Sequence, residues 1–515
     1  MIIVNFTKPD FEYDVHSLIK AFFPQEEIKM YYTCDEKEVE NRNLACTHHE
    51  ASAESEAEMA EASHVFDVAI EGDSICIKWE NRVDANAVYE SNFAIESSNR
   101  RSTKDAIKIN LYGMLKRGLK EDLPWGTLTG IRPTKIPMKL MEEGYSEEEI
   151  RKHMKETYLA TDEKIQLSID IAKREKKLLE KIDYENGYSL YIGIPFCPST
   201  CLYCSFTSYP LASWSKSVDK YLDALEKEID FTAQKFYHKK LNSIYIGGGT
   251  PTTLTPAQLD RLIRKIKCSF DLQYCVEFTI EAGRPDSITR EKLEVIHKWG
   301  IDRISVNPQT MKQETLDIIG RRHTVEQTIE SYRLAKKVGF KNINMDLIIG
   351  LPNESIEDVR NTMEVIRELD PDNVTVHSLA VKRAARLNIF KDYYKDMMMV
   401  NTQEHMDLCQ KICKEMGLYP YYLYRQKGMA GNMENVGYAK NGKAGVYNIL
   451  IMEEKQTIIA LGAGASTKLV LPELNADGNR RIDRIEYVKD VKTYLERSDE
   501  MIDRKVKKME EEKWH

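Results

Sequence analysis

The chain has 515 residues, with 74 Lys and Arg against 82 Asp and Glu and 42% hydrophobic residues. At roughly 150 residues per domain that length gives about three domains, and the composition is globular rather than disordered or fibrous. A formal charge of -8 argues against a protein that grips nucleic-acid phosphates through bulk positive charge. With no run of about 18 apolar residues and no basic-then-apolar leader, a cytoplasmic chain without membrane association is expected. Ten cysteines are too sparse for a disulfide scaffold, so their clustering becomes the useful question.

Residues 1–122 read as a small α+β domain carrying an acidic, solvated insertion near 50–63 (EASAESEAEMAEAS). HVFDVAI and SICIKWE read as two strands around Glu71 and Gly72, and the Ser102-x-x-Asp105 pattern predicts a helix from Ser102 to about Gly118. Residues 123–183 form a connector: the turn-rich LPWGTLTGIRPTK, read as a turn before a helix, then charged helices to about Ile182. From Tyr188 onward apolar, β-branched runs alternate with helix-length amphipathic stretches. Strands are predicted at 188–194, 242–247, 275–281, 302–307, 342–350 and 373–378, with helix starts at Thr255-Pro256, Thr324 with Gln327, and Ser355 with Asp358. Successive βα units require a parallel sheet, so the fold class is α/β, a partial (β/α)6 barrel over 184–380 with a C-terminal α/β extension and charged tail over 381–515. In such sheets chemistry sits at the carboxyl ends of the strands.

Directly after the first of these strands, FCPSTCLYCSF places Cys197, Cys201 and Cys204 in one loop as C-x3-C-x2-C. A structural zinc site takes four protein ligands, and no fourth cysteine or histidine lies nearby. Iron–sulfur clusters prefer thiolates, and a [4Fe-4S] cube held by three leaves one iron open to an exogenous ligand. Cys409 and Cys413, four apart on a predicted helix, read as core packing, and Cys34, Cys46, Cys76, Cys268 and Cys275 are scattered. His48 and His49 fall in the acidic stretch and read as solvated. Lys382, Arg383 and Arg386, like Arg425 and Lys427, read as solvated charge or as a group able to meet carboxylates.

The cysteine spacing on a βα-repeat chain resembles the radical S-adenosylmethionine (SAM) superfamily. YIGIPFCPSTCLYCSF, IYIGGGTPTTL, TIEAGRPDSI, RISVNPQTM, IIGRRHT and INMDLIIGLP, in that order, resemble its oxygen-independent coproporphyrinogen III oxidase (coproporphyrinogen dehydrogenase) family. The C-terminal YYLYRQKGMAGNMENVGYAKNGKAGVYNI and IIALGAGASTK resemble the HemZ-like branch, and the resemblance covers about residues 185–470.

Glycines let backbone approach a ligand closely or simply make a tight turn; the resemblance implies that Gly248, Gly249 and Thr250 bind the amino group of SAM. It also places Glu281, Gln309, Arg321 and Asp346 at cofactor-contacting positions. Arg321 suits the methionine carboxylate by its guanidinium fork, Glu281 and Asp346 the ribose hydroxyls or the ammonium, and Gln309 either. Taken singly, each reads as a strand-end salt bridge or a solvated loop charge. Tyr191 on a strand is ordinarily core, whereas the resemblance puts it beside the cluster and substrate, with a catalytic role. Phe196 and Phe206 read as an apolar shell for the cluster loop.

The function implied is a radical enzyme that decarboxylates the propionates of coproporphyrinogen III to give protoporphyrinogen IX in haem biosynthesis. Its cofactors would be a [4Fe-4S] cluster and SAM, its partners the tetrapyrrole and a reductant protein such as flavodoxin or ferredoxin, and its state a monomer. One departure stands out: oxidases of the family continue with a further cysteine, where this chain has Ser205 and Phe206. That resembles the haem-chaperone branch and implies an alternative, a haem carrier without decarboxylase activity. A third reading, an RNA-modifying radical enzyme, meets an acidic charge balance and no aromatic-basic recognition motif.

Overall fold

The structure is a computed structural model that describes residues 1–24, 26–32, 58–84, 87–130, 132–382, 385–389, 397–426, 433–474 and 480–512. Cys34, Cys46, His48, His49, Arg383, Lys427 and most of the acidic insertion lie outside the described residues. The chain divides into two compact units, Met1–Ile169 and Asp170–His515. Among the described residues no helix is long and apolar enough to cross a membrane.

The first unit is α+β. Its strands β1 (Ile2–Phe6), β2 (Ile28–Tyr32), β3 (His64–Glu71), β4 (Ser74–Asn81) and β5 (Ala87–Ala94) lie in the order β2-β1-β3-β4-β5. Every second residue, among them Ile2, Val4, Phe6, Phe66, Val68, Ile75, Ile77 and Trp79, enters one buried cluster with Leu18, Ile107, Leu111 and Leu115 of helices Glu12–Phe22 and Arg100–Leu119. The second helix does not start at Ser102: Asn99 is the cap, and its side chain accepts from the Ser102 amide at 3.1 Å. Asparagine serves as well as serine there, so the helix gains a turn. The end of the acidic insertion is not solvated either. Glu58 pairs with Lys29 at 2.6 Å, and Met59 and Ala62 pack with Ile3, Tyr31 and Val65. Within GIRPTK, where Ile131 lies outside the described residues, Arg132–Thr134 turn into helix Lys135–Glu142, as expected.

The second unit carries β6 (Gly187–Ile194), β7 (Lys240–Gly248), β8 (Glu277–Gly283), β9 (Arg303–Val306), β10 (Asn342–Ile349) and β11 (Asn373–Ser378), all parallel and adjacent in chain order. Reciprocal capping boxes open three of the connecting helices, at Thr255/Gln258, Thr324/Gln327 and Ser355/Asp358; each cap is worth ~1 kcal/mol. Right-handed crossovers that always step to the next strand put every helix on one face, which makes the other face the inside of a partial barrel.

Both edges of that barrel are extended by the C-terminal part of the chain. On the β11 edge lie β12 (Tyr419–Tyr424) and β13 (Asn435–Ala439), the latter antiparallel to β11. On the β6 edge, β14 (Thr457–Leu461) pairs parallel to β6 and is followed by the antiparallel β15 (Ser466–Leu474) and β16 (Arg480–Glu486).

The two faces differ in chemistry. Leu190, Ile192, Ile244, Ile246, Ile280, Ile304, Ile343, Met345, Val374 and Val376 are buried toward the helices. Their alternates are Tyr191, Tyr245, Thr279, Glu281, Arg303, Ser305, Asn344, Asp346, Thr375 and His377, which line the inside. Parallel strands are usually apolar on both faces, so a polar inner face marks a space built for something other than a hydrocarbon core.

The extension closes the base of this space. Arg303 donates to Asn342 and Asn373 side chains and to the Lys443 carbonyl, and Glu277 accepts from the Val446 amide at 2.5 Å. It also braces β6: Glu228 and Lys505, both 1% exposed and 3.7 Å apart, meet the end of β14, Glu228 accepting from the Gly462 amide and Lys505 donating to the Ala460 carbonyl, while the Tyr221 hydroxyl donates to the Gly193 carbonyl at 2.6 Å. Removing one partner of a buried pair of this kind costs roughly 3–5 kcal/mol.

Candidate functional site

The cysteine loop leaves the carboxyl end of β6 and is tied down on several sides. The Gly249 amide donates to Ile194 O at 2.7 Å, Thr250 to Phe196 O at 2.8 Å, and Leu202 to Ile319 O at 3.0 Å, while Ser199 Oγ donates to Gly320 O at 2.9 Å. Cys197 and Cys201 are buried and Cys204 half-buried, all as free thiols. Burial pushes the Cys197 thiol up to about 12, although the Thr250 hydroxyl 3.6 Å away favours its thiolate. Only a bound cation turns such a thiol into a ligand.

The glycine run explains itself here, each residue differently. A Cβ on Gly247 would sit 3.1 Å from Glu281 Oε2, and Gly248 has φ +111°. A Cβ on Gly249 would fall 2.7 Å from Phe196 O and 2.9 Å from Cys197 Sγ. The run is a close approach to the thiol and not merely a turn.

Buried polar atoms gather around it. Gln309 is held at φ +70° by backbone bonds to Asp346 and Ile348, and Arg321 donates to the Asn307 carbonyl. Among the described residues Gln309 Oε1, Arg321 Nε, Asn307 Oδ1, Ser305 Oγ and both ring nitrogens of His323 are buried without a hydrogen-bond partner. Buried polar groups of this kind are costly unless a ligand meets them. Burial, and then the Arg321 charge, hold His323 down to about 3, so it is neutral.

Glu281 does not end its strand: β8 runs on to Gly283, with a register shift between Glu281 and Gly283 that re-aims the chain at the site. Burial lifts its carboxyl to about 7, against the hydrogen bond donated by Tyr245 and with the Asp346 charge adding to the lift. Asp346 stays below the usual carboxylate range, because His377 at 3.8 Å, Asn344 at 2.6 Å and Thr375 outweigh its burial. Tyr191 stacks with Tyr245 and with Tyr447 of the extension, with centroids 6.3 and 6.4 Å away, and faces Glu281. The structure therefore joins Tyr191, Glu281 and Asp346 on the inner wall, and the cysteines, glycines and Arg321 at the strand ends.

Two sequence expectations need correction. Phe196 is buried, but Phe206 is 71% exposed, with the Lys382 ammonium 5.7 Å above its ring, so it shields nothing; it follows the loop out of the sheet into solvent. Arg425 is not solvated but buried beside Glu434. Cys409 and Cys413 are fully buried, as core residues. One residue was not visible beforehand: Arg284, 3% exposed, reaches the Cys201 sulfur at 3.6 Å. Its only sequence signal is a charge directly after an apolar strand in EAGRPD.

Among the described residues no three His, Cys, Asp or Glu side chains close on one point as a single metal ion would require. Thiolates on one zinc stand about 3.8 Å apart, from Zn–S bonds of about 2.3 Å in a tetrahedron. The three cysteines share one loop without closing on a single point, which suits a larger inorganic core.

The radical SAM superfamily pattern matches residues 191–366, from Tyr191 on β6 into the helix after β10. The chain is 43% identical over 415 residues to the oxygen-independent coproporphyrinogen-III oxidase-like protein HemZ of Bacillus subtilis (strain 168), covering 80% of this chain and 82% of that protein. The chain belongs to this radical SAM family. Its cofactors are accordingly a [4Fe-4S] cluster and SAM. The same radical SAM chain is 33% identical to heme chaperone HemW of that bacterium over 54% of its length and 70% of HemW's. The solved coproporphyrinogen III oxidase HemN of Escherichia coli superposes with a TM-score of 0.48 at 24% identity, over 64% of this chain and 73% of that one.

Proposed function

We propose that this chain is a radical SAM enzyme that oxidatively decarboxylates the propionates of coproporphyrinogen III. The observation that carries the reading is the cysteine loop set against buried polar atoms that have no hydrogen-bond partner among the described residues, in a chain related to an oxidase-like protein over most of its length. Each propionate would lose one hydrogen atom, one electron and carbon dioxide to become a vinyl group, the electron passing to a one-electron acceptor.

Cys197, Cys201 and Cys204 would hold the cluster, and Gly247–Thr250, Glu281, Gln309, Arg321 and Asp346 would hold SAM. Together the bound pair supplies hydrogen-atom abstraction through reductive cleavage of the sulfonium. The Arg321 fork, with its free Nε, matches a carboxylate. Glu281, close against the glycines, matches an ammonium. Asp346, kept ionised by His377 and Asn344, can accept from ribose hydroxyls. Tyr191, Tyr245 and Tyr447 form a rigid aromatic wall that excludes water from the inner face. At the mouth, the Lys382 ammonium over the exposed Phe206 ring offers a cation and an apolar plate to a flat polycarboxylate. A flavodoxin- or ferredoxin-type reductant, a cytoplasmic location and a monomeric state complete the proposal.

The Ser205-Phe206 pair and the likeness to HemW favour a second reading, a haem carrier. Anaerobic incubation of cluster-loaded protein with coproporphyrinogen III, SAM and a reductant separates the two. Vinyl-bearing product identifies the enzyme, and stoichiometric haem binding with no turnover identifies the carrier.

Glu281 makes SAM affinity depend on pH. Its carboxyl, lifted to about 7, is neutral below that pH and offers no charge to an ammonium; above it the carboxylate is present. Calorimetric SAM affinity is expected to rise by about tenfold between pH 6 and 8, a ~1.4 kcal/mol gain, and to be flat in Glu281→Gln. A wild-type profile as flat as the variant's removes Glu281 from the ammonium site.

A further inference from the structure

Arg284 has no part in the roles assigned above, yet it is a buried cation set against the cysteine loop, as Arg321 is. It follows Gly283, whose φ of +61° turns the chain back beneath the loop. One edge of its guanidinium is held by Asp286, Nε to Oδ1 at 2.9 Å and Nη2 to Oδ2 at 2.6 Å. The other edge is aimed at the loop through Nη1, which lies 3.1 Å from Ser199 O, 3.0 Å from Ser199 Oγ and 3.6 Å from Cys201 Sγ. With the side chain of Arg284 only 4% exposed, water cannot screen the charge. Cys197 is approached instead by a neutral hydroxyl, that of Thr250.

We propose that Arg284 is a positioning residue that fixes the loop at Ser199 and draws electron density from the Cys201 sulfur, so that the bound cluster accepts its electron at a higher potential. The inference rests on the reading that Cys197, Cys201 and Cys204 hold a four-iron cluster. Hydrogen bonds and positive charge at cluster sulfurs stabilise the more negative, reduced form, and burial strengthens both effects. Asp286 orients the fork and offsets part of its charge. Bidentate geometry of this kind is open to arginine and closed to lysine, which separates the charge from the scaffold.

The test compares full-length wild type with Arg284→Met, Arg284→Lys and Asp286→Asn, each reconstituted anaerobically. Iron and sulfide are counted first, and the midpoint potential is then followed by electron paramagnetic resonance during dithionite titration. Arg284→Met is expected to keep its cluster but to be harder to reduce by about tenfold in the equilibrium, 59 mV for one electron. Arg284→Lys is expected to recover most of that shift, and Asp286→Asn to move the potential the other way. A loaded Arg284→Met with the wild-type midpoint overturns the proposal. If Arg284→Met fails to load, an unchanged midpoint in both Arg284→Lys and Asp286→Asn overturns it. Wild type that takes up no four-iron cluster overturns the functional reading and this proposal together, whereas loaded proteins with identical midpoints overturn this proposal alone.

Discussion

Gly249→Ala is expected to leave a folded protein that has lost cluster loading by at least about tenfold. The added carbon would lie 2.7 Å from the Phe196 carbonyl oxygen and 2.9 Å from Cys197 Sγ, inside any tolerable contact. Neither neighbour is the free end of a flexible side chain. Phe196 O accepts from the Thr250 amide, and Gly249 N is itself bonded to Ile194 O, so relief must come from parting the glycine run and the start of the cysteine loop. Overpacking costs typically ~1–3 kcal/mol, a small loss for a core of this size but a displacement of the thiol from its ligand position. The measurement is iron per chain beside a thermal melt. Full iron loading in the variant would show that the loop yields without moving Cys197.

Cys201→Ala is expected to remove the cluster entirely, with loss of its visible absorbance and of SAM cleavage, while the secondary structure persists. Two thiolates cannot hold a four-iron core in the geometry that three provide. The fold does not depend on that residue, because the loop is held by backbone bonds from Leu202 and Tyr209 and by Ser199 on Gly320. Cys409→Ala gives the contrast: fully buried in the helix Gln403–Glu415, it is expected to lower stability by ~1–3 kcal/mol and to leave iron content untouched. Retained cluster absorbance in Cys201→Ala would transfer the ligand role to another residue.

Much of the barrel was legible because each unit signals locally. The β-branched runs at 188–194, 242–247, 302–307, 342–350 and 373–378 match β6, β7, β9, β10 and β11 within a few residues; the capping boxes at Thr324/Gln327 and Ser355/Asp358 form as the spacing predicts, and the helix expected from Thr255-Pro256 starts there. The third strand was misplaced by two residues, since it begins at Glu277 and ends past Glu281 through a bulge that no side-chain pattern announces. The cysteine triplet was legible for the same local reason.

What sequence could not supply is pairing at a distance. Nothing in TIIAL says that it lies beside YSLYI, or that Lys443 and Val446 close the base of the barrel on Arg303 and Glu277. Arg284 was hidden because an arginine before Pro-Asp reads as a turn charge until the loop that it touches, 83 residues earlier, is folded over it. Phe206 erred the other way, its proximity in sequence to Cys204 suggesting a shelter that the outgoing loop does not make.

The pairing of β14 with β6 sets an order of events during synthesis. The strand that presents the cysteine loop, Gly187–Ile194, has β7 on one side as soon as residue 248 has emerged, but its other side is paired only by Thr457–Leu461. Until then it keeps an open row of backbone donors and acceptors, and Gly462 and Lys505 are not yet present to complete the brace on Glu228. The loop therefore stands on a finished strand only once residues 457–461 have been made. A chain cut short before Thr457 would present the cysteine loop on a strand with an open, aggregation-prone edge.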